Sequence, residues 1–317
     1  MDIRALSHSI QEQTEKIIVG KPDKIRLIVM AVLAGGHVLL DDLPGVGKTT
    51  LVKTISLALG CRSGRIQFVP DMLPSDIIGM RIYNQKTGDF ELRQGPVMTN
   101  ILLADEINRA IPRTQSALLE AMEERQISID GEQFPLPKPF LVLATQNPVE
   151  SESTFRLPAA QMDRFLIRIS MGYPAPDEER RMLHLLGDEI PFHTVSPVAD
   201  AETLVRAQEE IRNVHLGDEV AAYIVALAEA TRTHPQLTMG ASPRATRNLY
   251  RAAKVWAAMD GRDFVTPDDV KALAVPVLEH RLVLESSARF SGATTGAILA
   301  DILARVPAAP DAGHVLL

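Results

Sequence analysis

Apolar positions recur at helical spacing from residue 3 to residue 18, at Ile3, Leu6, Ile10 and Ile17, and predict a first amphipathic helix. A second helix is expected from Pro22, where a proline suits the first turn, to the Gly35-Gly36 pair that stops it. The period then changes. "HVLL", "RIQFV", "NILLAD", "FLVLATQ" and "RFLIRI" are short, nearly continuous apolar runs, as expected of strands buried on both faces. "TTLVKTISLALG" and "RTQSALLEAMEE" read as helices between them. Strands alternating with helices predict a parallel sheet covered on both sides. Two polar interruptions, "RIYNQKTGDFELRQG" and "QISIDGEQFPL", read as hairpins, the second turning at Asp130-Gly131.

After "GYPAPDEE", residues 172–179, the pattern is helical. Pro174 and Pro176 mark a linker, and "EERRMLHLLG", "AETLVRAQEEI", "EVAAYIVALAEATR", "PRATRNLYRAAKVWAAM" and "PDDVKALAVPVLEHRL" read as helices. Ser242-Pro243 and Thr266-Pro267 each set a capping hydroxyl before a first-turn proline. The end, "ARVPAAPDAGHVLL", reads as a loose tail. The expected fold class is α/β: residues 1–173 form a sheet sandwiched by helices, and residues 174–317 form a smaller all-helical domain.

Composition narrows the class. Of 317 residues, 46% are hydrophobic and only 4% aromatic, so the core is aliphatic. The formal net charge of −7, from 33 basic and 40 acidic residues, argues against a protein that coats nucleic acid. The hairpins agree: Lys86 and Arg93 stand against Asp89 and Glu91 in the first, and Lys138 against Asp130 and Glu132 in the second. The single cysteine, Cys61, rules out an internal disulfide and fits a reducing, cytoplasmic setting. "MDIRALSHSIQEQTEK" reads as a polar helix rather than a signal peptide. The apolar stretch "IRLIVMAVLAGGHVLL" is broken by Arg26, Gly35, Gly36 and His37 and falls short of the roughly 20 residues of a membrane span. The eight histidines are scattered and form no metal-ligand cluster.

The candidate chemistry starts at "DDLPGVGKTT", residues 41–50. Between a buried strand and a helix, a loop ending Gly-Lys-Thr offers backbone N–H groups and a helix N-terminus to phosphates. Lys48 is expected to reach the β- and γ-phosphates of ATP and Thr49 to hold Mg²⁺, within a binding loop of Pro44, Gly45, Val46, Gly47, Lys48, Thr49 and Thr50. Asp42 stands where the first glycine of the pattern belongs. "ILLADEIN" ends a strand on two acids. Asp105 suits Mg²⁺, and Glu106 suits orienting and deprotonating an attacking water. "LVLATQNP" ends a third strand on Asn147, whose amide can position that water or simply cap the strand.

These strands, their order and their end residues resemble the MoxR branch of the AAA+ ATPases. The resemblance extends through "DEINRA", "TQSALLEAMEE", "ATQNP", "LPAAQMDRF", "GASPRA" and "GRDFVTPDDVKALA", nearly the whole chain. It implies that Arg164 of "MDRF" is an arginine finger acting on a neighbouring subunit's nucleotide. It implies that Arg244 of "SPRA" is the sensor-2 arginine, Asn147 the sensor-1 residue, and Ile18, Val19 and Gly20 the segment that packs on adenine. Arg244 also sits in the first turn of a capped helix, where a cation is disfavoured unless something anionic lies outside that helix. The chain departs from the family at "STFRLPAAQMDRF": Ser153, Arg156 and Ala159 replace glycine, proline and glutamate. Arg156 reads as a surface charge or as a second trans-acting arginine.

The resemblance implies a ring of identical subunits, a hexamer, that hydrolyses ATP at its interfaces to remodel or mature protein clients, commonly ones with a von Willebrand factor A domain. Three other readings stay open. A nucleic-acid motor is disfavoured by the hairpin charges. A non-catalytic ATP switch is disfavoured by Glu106 and Arg164, which binding alone does not need. The third is an ATPase subunit of a magnesium chelatase.

Overall fold

The structure, a computed structural model, describes residues 1–41, 45–146, 155–187 and 189–308. Helix α1 (Ile3–Glu15) ends earlier than the apolar spacing predicts. The Thr14 carbonyl accepts from both Ile17 N at 3.2 Å and Ile18 N at 3.0 Å, which tightens the last turn and closes the helix. Helix α2 (Pro22–Leu33) starts at its proline, and Gly35 at φ +62° turns the chain into strand β1 (His37–Asp41). Helix α3 (Lys48–Ala58) and strand β2 (Ser63–Gln67) follow. A short helix α4 (Pro74–Ile78), not expected from the pattern, leads into the hairpin β3 (Gly79–Asn84) and β4 (Asp89–Gln94). Then come β5 (Ile101–Asp105), α5 (Pro112–Glu124), the hairpin β6 (Gln126–Ile129) and β7 (Glu132–Pro135), β8 (Leu141–Gln146), α6 (Ala159–Met162), β9 (Phe165–Ile169) and α7 (Pro176–Leu186).

The main sheet has five strands in the order β2-β5-β8-β1-β9. Its parallel registers pair Gln67 with Asp105, Ala104 with Ala144, and Asp41 with Gln146. The carboxyl ends of β1, β2, β5 and β8 therefore fall along one edge, where ligands of open α/β sheets bind. Leu39, Leu40, Leu102, Val142 and Leu143 are completely buried, the mark of a sheet covered on both faces. In the β6–β7 turn Asp130 at φ +51° and Gly131 at φ +84° are both left-handed, as a two-residue hairpin loop of this kind needs. Arg81 of the first hairpin pairs with Glu132 of the second at 2.5 Å.

The rest is mostly helical: α8 (Ala201–Ile211), α9 (Asp218–Arg232), α10 (Pro243–Met259), α11 (Pro267–Leu278), α12 (Ser286–Phe290) and α13 (Thr295–Arg305). A two-stranded antiparallel ladder, β10 (Leu237–Met239) with β11 (Val283–Leu284), interrupts the helices and is too short to register as a pattern. Ser242 caps α10 as expected, its hydroxyl accepting from Ala245 N at 3.1 Å. Thr266 behaves differently: its N–H and hydroxyl both donate to Asp269 Oδ2, at 2.8 and 2.9 Å. The acid three residues on supplies the anion at the helix start. Helix α13 takes in Ala304 and Arg305 from the segment read as loose, and residues 309–317 lie outside the described residues.

The chain divides into two compact units. One holds Leu6–Leu157 and Ile169–Arg206, and the other Met1–Ala5, Pro158–Arg168 and the chain from Ala207 onward. These limits follow packing and differ from the 173/174 boundary read from composition. Among the described residues no helix is long and apolar enough to cross a membrane.

Candidate active site

In the first unit the loop after β1 is shaped by glycine. Gly45 at φ +84° and Gly47 at φ +79° both take the left-handed conformation that a side chain disfavours. A Cβ at either would meet nothing within 4 Å among the described residues, so the need is conformational. Gly47 is the N-cap of α3, and the first turn of that helix carries no acid. The Gly47 carbonyl accepts from Leu51 N at 2.9 Å. The first N–H groups of an α-helix point out of its N-terminus, and they favour an anion at this end of the helix. Lys48 is 8% exposed, Val46 and Thr50 are half-buried, and Thr49 is exposed. Pro44 and Asp42 lie outside the described residues.

Asp105 and Glu106 share one hydroxyl. Thr145, fully buried near the end of β8, donates through Oγ1 to Asp105 Oδ1 at 2.6 Å and accepts from Glu106 N at 2.8 Å. A hydroxyl has one hydrogen to give, so these two bonds fix its orientation. The second also explains the backbone of Glu106. At φ +55° and ψ +49° it is left-handed, a conformation that costs a non-glycine residue about 1 kcal/mol and persists only where neighbours enforce it. The turn aims the carboxylate off the strand end. Its Oε2 accepts from Gln67 Nε2 at 2.8 Å and from Arg109 Nη1 at 3.0 Å. Arg65, on β2, donates to Asp105 Oδ2 at 2.9 Å. The Arg65 side chain is 53% exposed, so that ion pair is worth on the order of 0–1 kcal/mol and yields readily to a metal ion.

Asp105 and Glu106 are legible in the sequence, whereas Thr145, Gln67, Arg65 and Arg109 carry no such local signal. Three of these four reach the acids from β2 and β8, the two strands that flank β5 in the sheet although neither is next to it in the chain. Only the register reveals them. Asn147, the expected amide, and Ser153 lie outside the described residues, and Arg156 is exposed.

The expected adenine segment lies in the same unit. Val19 is 7% exposed, and Ile18 packs on a cluster of Ile17, Ala58 and Val195. Gly20, at φ +75°, leaves no room for a side chain: a Cβ would fall 2.1 Å from Glu178 Cδ. Glu178 is held there by accepting from Ala175 N at 2.8 Å at the start of α7.

Arg164 and Arg244 belong to the second unit. Arg244, at the start of α10, has the anionic neighbour its position calls for: its Nη1 lies 3.9 Å from Asp163 Oδ2. Ser242 Oγ donates to the same oxygen at 3.0 Å. The other oxygen of Asp163 accepts from Arg281 Nε at 2.7 Å. Arg281, 3% exposed, was not singled out from sequence. Burial pulls its guanidinium below the ordinary value, while Asp163 pushes the other way. Its neighbour His280 is held well below the ordinary imidazole value by burial first and then by the charges of Arg281 and Arg168.

The groups present fit ATP and Mg²⁺. A glycine-shaped helix N-terminus with an exposed hydroxyl and a buried lysine suits phosphate, and the fixed acid pair suits a hydrated cation and an attacking water.

Comparison with known proteins agrees. The family model "ATPase family associated with various cellular activities (AAA)" matches residues 37–167, and an AAA lid domain matches residues 229–302. The uncharacterized protein YeaC of Bacillus subtilis is 47% identical over 96% of this chain and 95% of its own. Chaperone MoxR1 of Mycobacterium tuberculosis is 42% identical over 99% of this chain and 86% of its own. The crystal structure of a proposed ATPase from Cytophaga hutchinsonii superposes with a TM-score of 0.90 at 38% identity, covering 96% of this chain and 95% of that one. With two relatives above 40% identity over nearly the whole chain and the AAA family model matching its core, the chain belongs to the MoxR family of AAA+ ATPases.

Proposed function

We propose that the protein hydrolyses ATP at the interfaces of a homo-oligomeric ring, a hexamer, and uses the cycle to remodel or mature a client protein, one carrying a von Willebrand factor A domain. The observation that carries the hydrolytic part is the pairing of Asp105 and Glu106 through the buried Thr145 hydroxyl, on the sheet edge that also bears the glycine loop. A site that only bound nucleotide would not need Glu106 held in a strained backbone. A relative named as a chaperone supports the client-directed part.

In this reading the loop N–H groups and Lys48 hold the phosphates, Thr49 and Asp105 hold Mg²⁺, and Ile18–Gly20 seat the adenine. Mg²⁺, when bound, neutralises charge on the phosphate oxygens. Glu106 orients water and takes its proton as the water oxygen bonds to the γ-phosphorus and the bond to the β–γ bridging oxygen breaks, releasing ADP and phosphate. Asn147 helps place that water. Arg244 senses the nucleotide bound by its own subunit. Arg164 reaches the neighbour's nucleotide, a role that contributes roughly 10³ to 10⁵ in rate.

The test is ATP turnover per chain against protein concentration, with Glu106→Gln and Arg164→Ala measured alone and mixed. Turnover per chain should rise with concentration, and the two inactive variants should partly restore each other. Flat turnover and no restoration would mean a self-contained site and would overturn the trans role of Arg164.

A further inference from the structure

Arg281 is buried in the 3-10 turn Glu279–Arg281 that follows α11, and it spends all its donors. A guanidinium has five N–H groups in a fixed fork. Here Nε donates to Asp163 Oδ1 at 2.7 Å, Nη1 to Leu166 O at 3.3 Å and to Val277 O, and Nη2 to Asp163 O at 3.2 Å and to Phe165 O. Three of the four carbonyls it grips, those of Asp163, Phe165 and Leu166, stand on both sides of Arg164. The backbone carrying that arginine is thus held from before and behind by one planar group. A lysine, with a single nitrogen, cannot reproduce this.

Asp163 joins the grip to Arg244. One carboxylate oxygen belongs to Arg281 at 2.7 Å, while the other faces Ser242 at 3.0 Å and Arg244 at 3.9 Å. The two arginines differ in kind. The Arg281 side chain is 2% exposed and closely bonded, whereas that of Arg244 is 38% exposed and at the limit of an ion pair. If one of them leaves the carboxylate for another anion, it is Arg244.

We propose that Asp163 and Arg281 are positioning residues: Arg281 fixes the backbone of Arg164, and Asp163 gives Arg244 its resting place on the same carboxylate. The arginine that reads a subunit's own nucleotide and the arginine that serves its neighbour are thereby linked through one aspartate. This rests on the proposed roles of Arg164 and Arg244.

The test uses full-length Arg281→Lys and Asp163→Asn. Each is measured for ATP turnover, for affinity toward a fluorescent ATP analogue, and for turnover when mixed with Glu106→Gln. Loosening the Arg164 backbone should lower kcat on the order of 10²-fold, with analogue affinity within about threefold of wild type. Mixing with Glu106→Gln, whose subunits still supply a well-placed Arg164, should restore part of the turnover. The Arg164→Ala and Glu106→Gln mixture is the control that separates two failures. If the control pair does not restore activity, the trans role itself is wrong. If the control restores activity while Arg281→Lys and Asp163→Asn turn over like wild type, the positioning role is wrong. It is also wrong if both lose analogue affinity in proportion to kcat and gain nothing on mixing. Should Arg281→Lys fail to fold, the volume-conserving Asp163→Asn carries the same readouts.

Discussion

Replacing Thr145 with valine tests the acid pair most directly. The change keeps the shape of a side chain that is completely buried and removes only the hydroxyl. Two bonds go with it, the 2.6 Å bond to Asp105 Oδ1 and the 2.8 Å bond from Glu106 N. A hydrogen bond to a charged group is worth roughly 1.5–3 kcal/mol, and a neutral one about 1 kcal/mol. Part of this returns as Asp105 and the Glu106 N–H find water, so the placed arrangement loses about 2–3 kcal/mol. Glu106 can then relax out of its left-handed backbone, which recovers about 1 kcal/mol and moves its carboxylate away. At 1.36 kcal/mol per tenfold, the expected fall in kcat is about 30- to 160-fold. Nucleotide affinity should change by less than about threefold, because the phosphate loop lies after another strand. Steady-state turnover and titration with a fluorescent ATP analogue measure the two quantities separately. Thr145→Ser, which keeps the hydroxyl, should stay within a few-fold of wild type. A Thr145→Val protein that turns over at the wild-type rate would refute the argument, as would one whose affinity fell in step with kcat.

Gly47→Ala should weaken ATP binding about 5- to 30-fold, because a side chain at φ +79° costs about 1–2 kcal/mol although nothing stands within 4 Å to clash. Gly131→Ala carries the same strain at φ +84° in the β6–β7 turn and should leave binding unchanged, and equal losses in the two would contradict the loop assignment. Burial holds the folded His280 well below the ordinary imidazole value while the unfolded chain protonates near 6.5, so stability should fall as pH drops below 6.5, by at most about 1.4 kcal/mol per pH unit. Urea unfolding at several pH values should show this slope in wild type and not in His280→Gln. Arg262→Ala abandons Asp269, a 4% exposed acid that Arg262 bonds at 2.6 and 2.7 Å, and should cost about 3 kcal/mol in the same assay. Burial raises the pKa of Asp269, but Arg262 and Thr266 together bring it below 3.8, so the loss should shrink as pH falls below 3.8.

Much of this was legible because it is local. The apolar runs, the Gly-Lys-Thr loop and the adjacent acids each lie within ten residues of chain, and their periods and residue types state their roles. Arg244 was legible from its awkward place in a helix, although its present partner, Asp163, was not. Thr145, Gln67 and Arg65 were hidden because their meaning depends on which strands become neighbours, and β2, β5 and β8 are far apart in the chain. Arg281 was hidden for the same reason, being 118 residues from the aspartate it holds. The end of α1 is not legible because Ile17 continues the apolar period after the backbone has stopped being helical: it is 1% exposed, and a buried side chain need not be a helical one.

The sheet register has a consequence for how such a site can change. Gln67 faces Asp105 across one parallel ladder, and Ala104 faces Ala144 across the next. Successive residues of a strand point to opposite faces, so a slip of one residue in β5 would put Ala104 or Glu106 where Asp105 now stands and break the pairing of both acids with Thr145. The site therefore has no intermediate settings along the strands. Deleting a single residue within Ile101–Asp105 would abolish it outright, whereas exchanging side chains at fixed positions can tune it by small steps. Variation among relatives should accordingly appear as substitutions at the strand ends, and gains and losses of residues should be confined to the connections between strands.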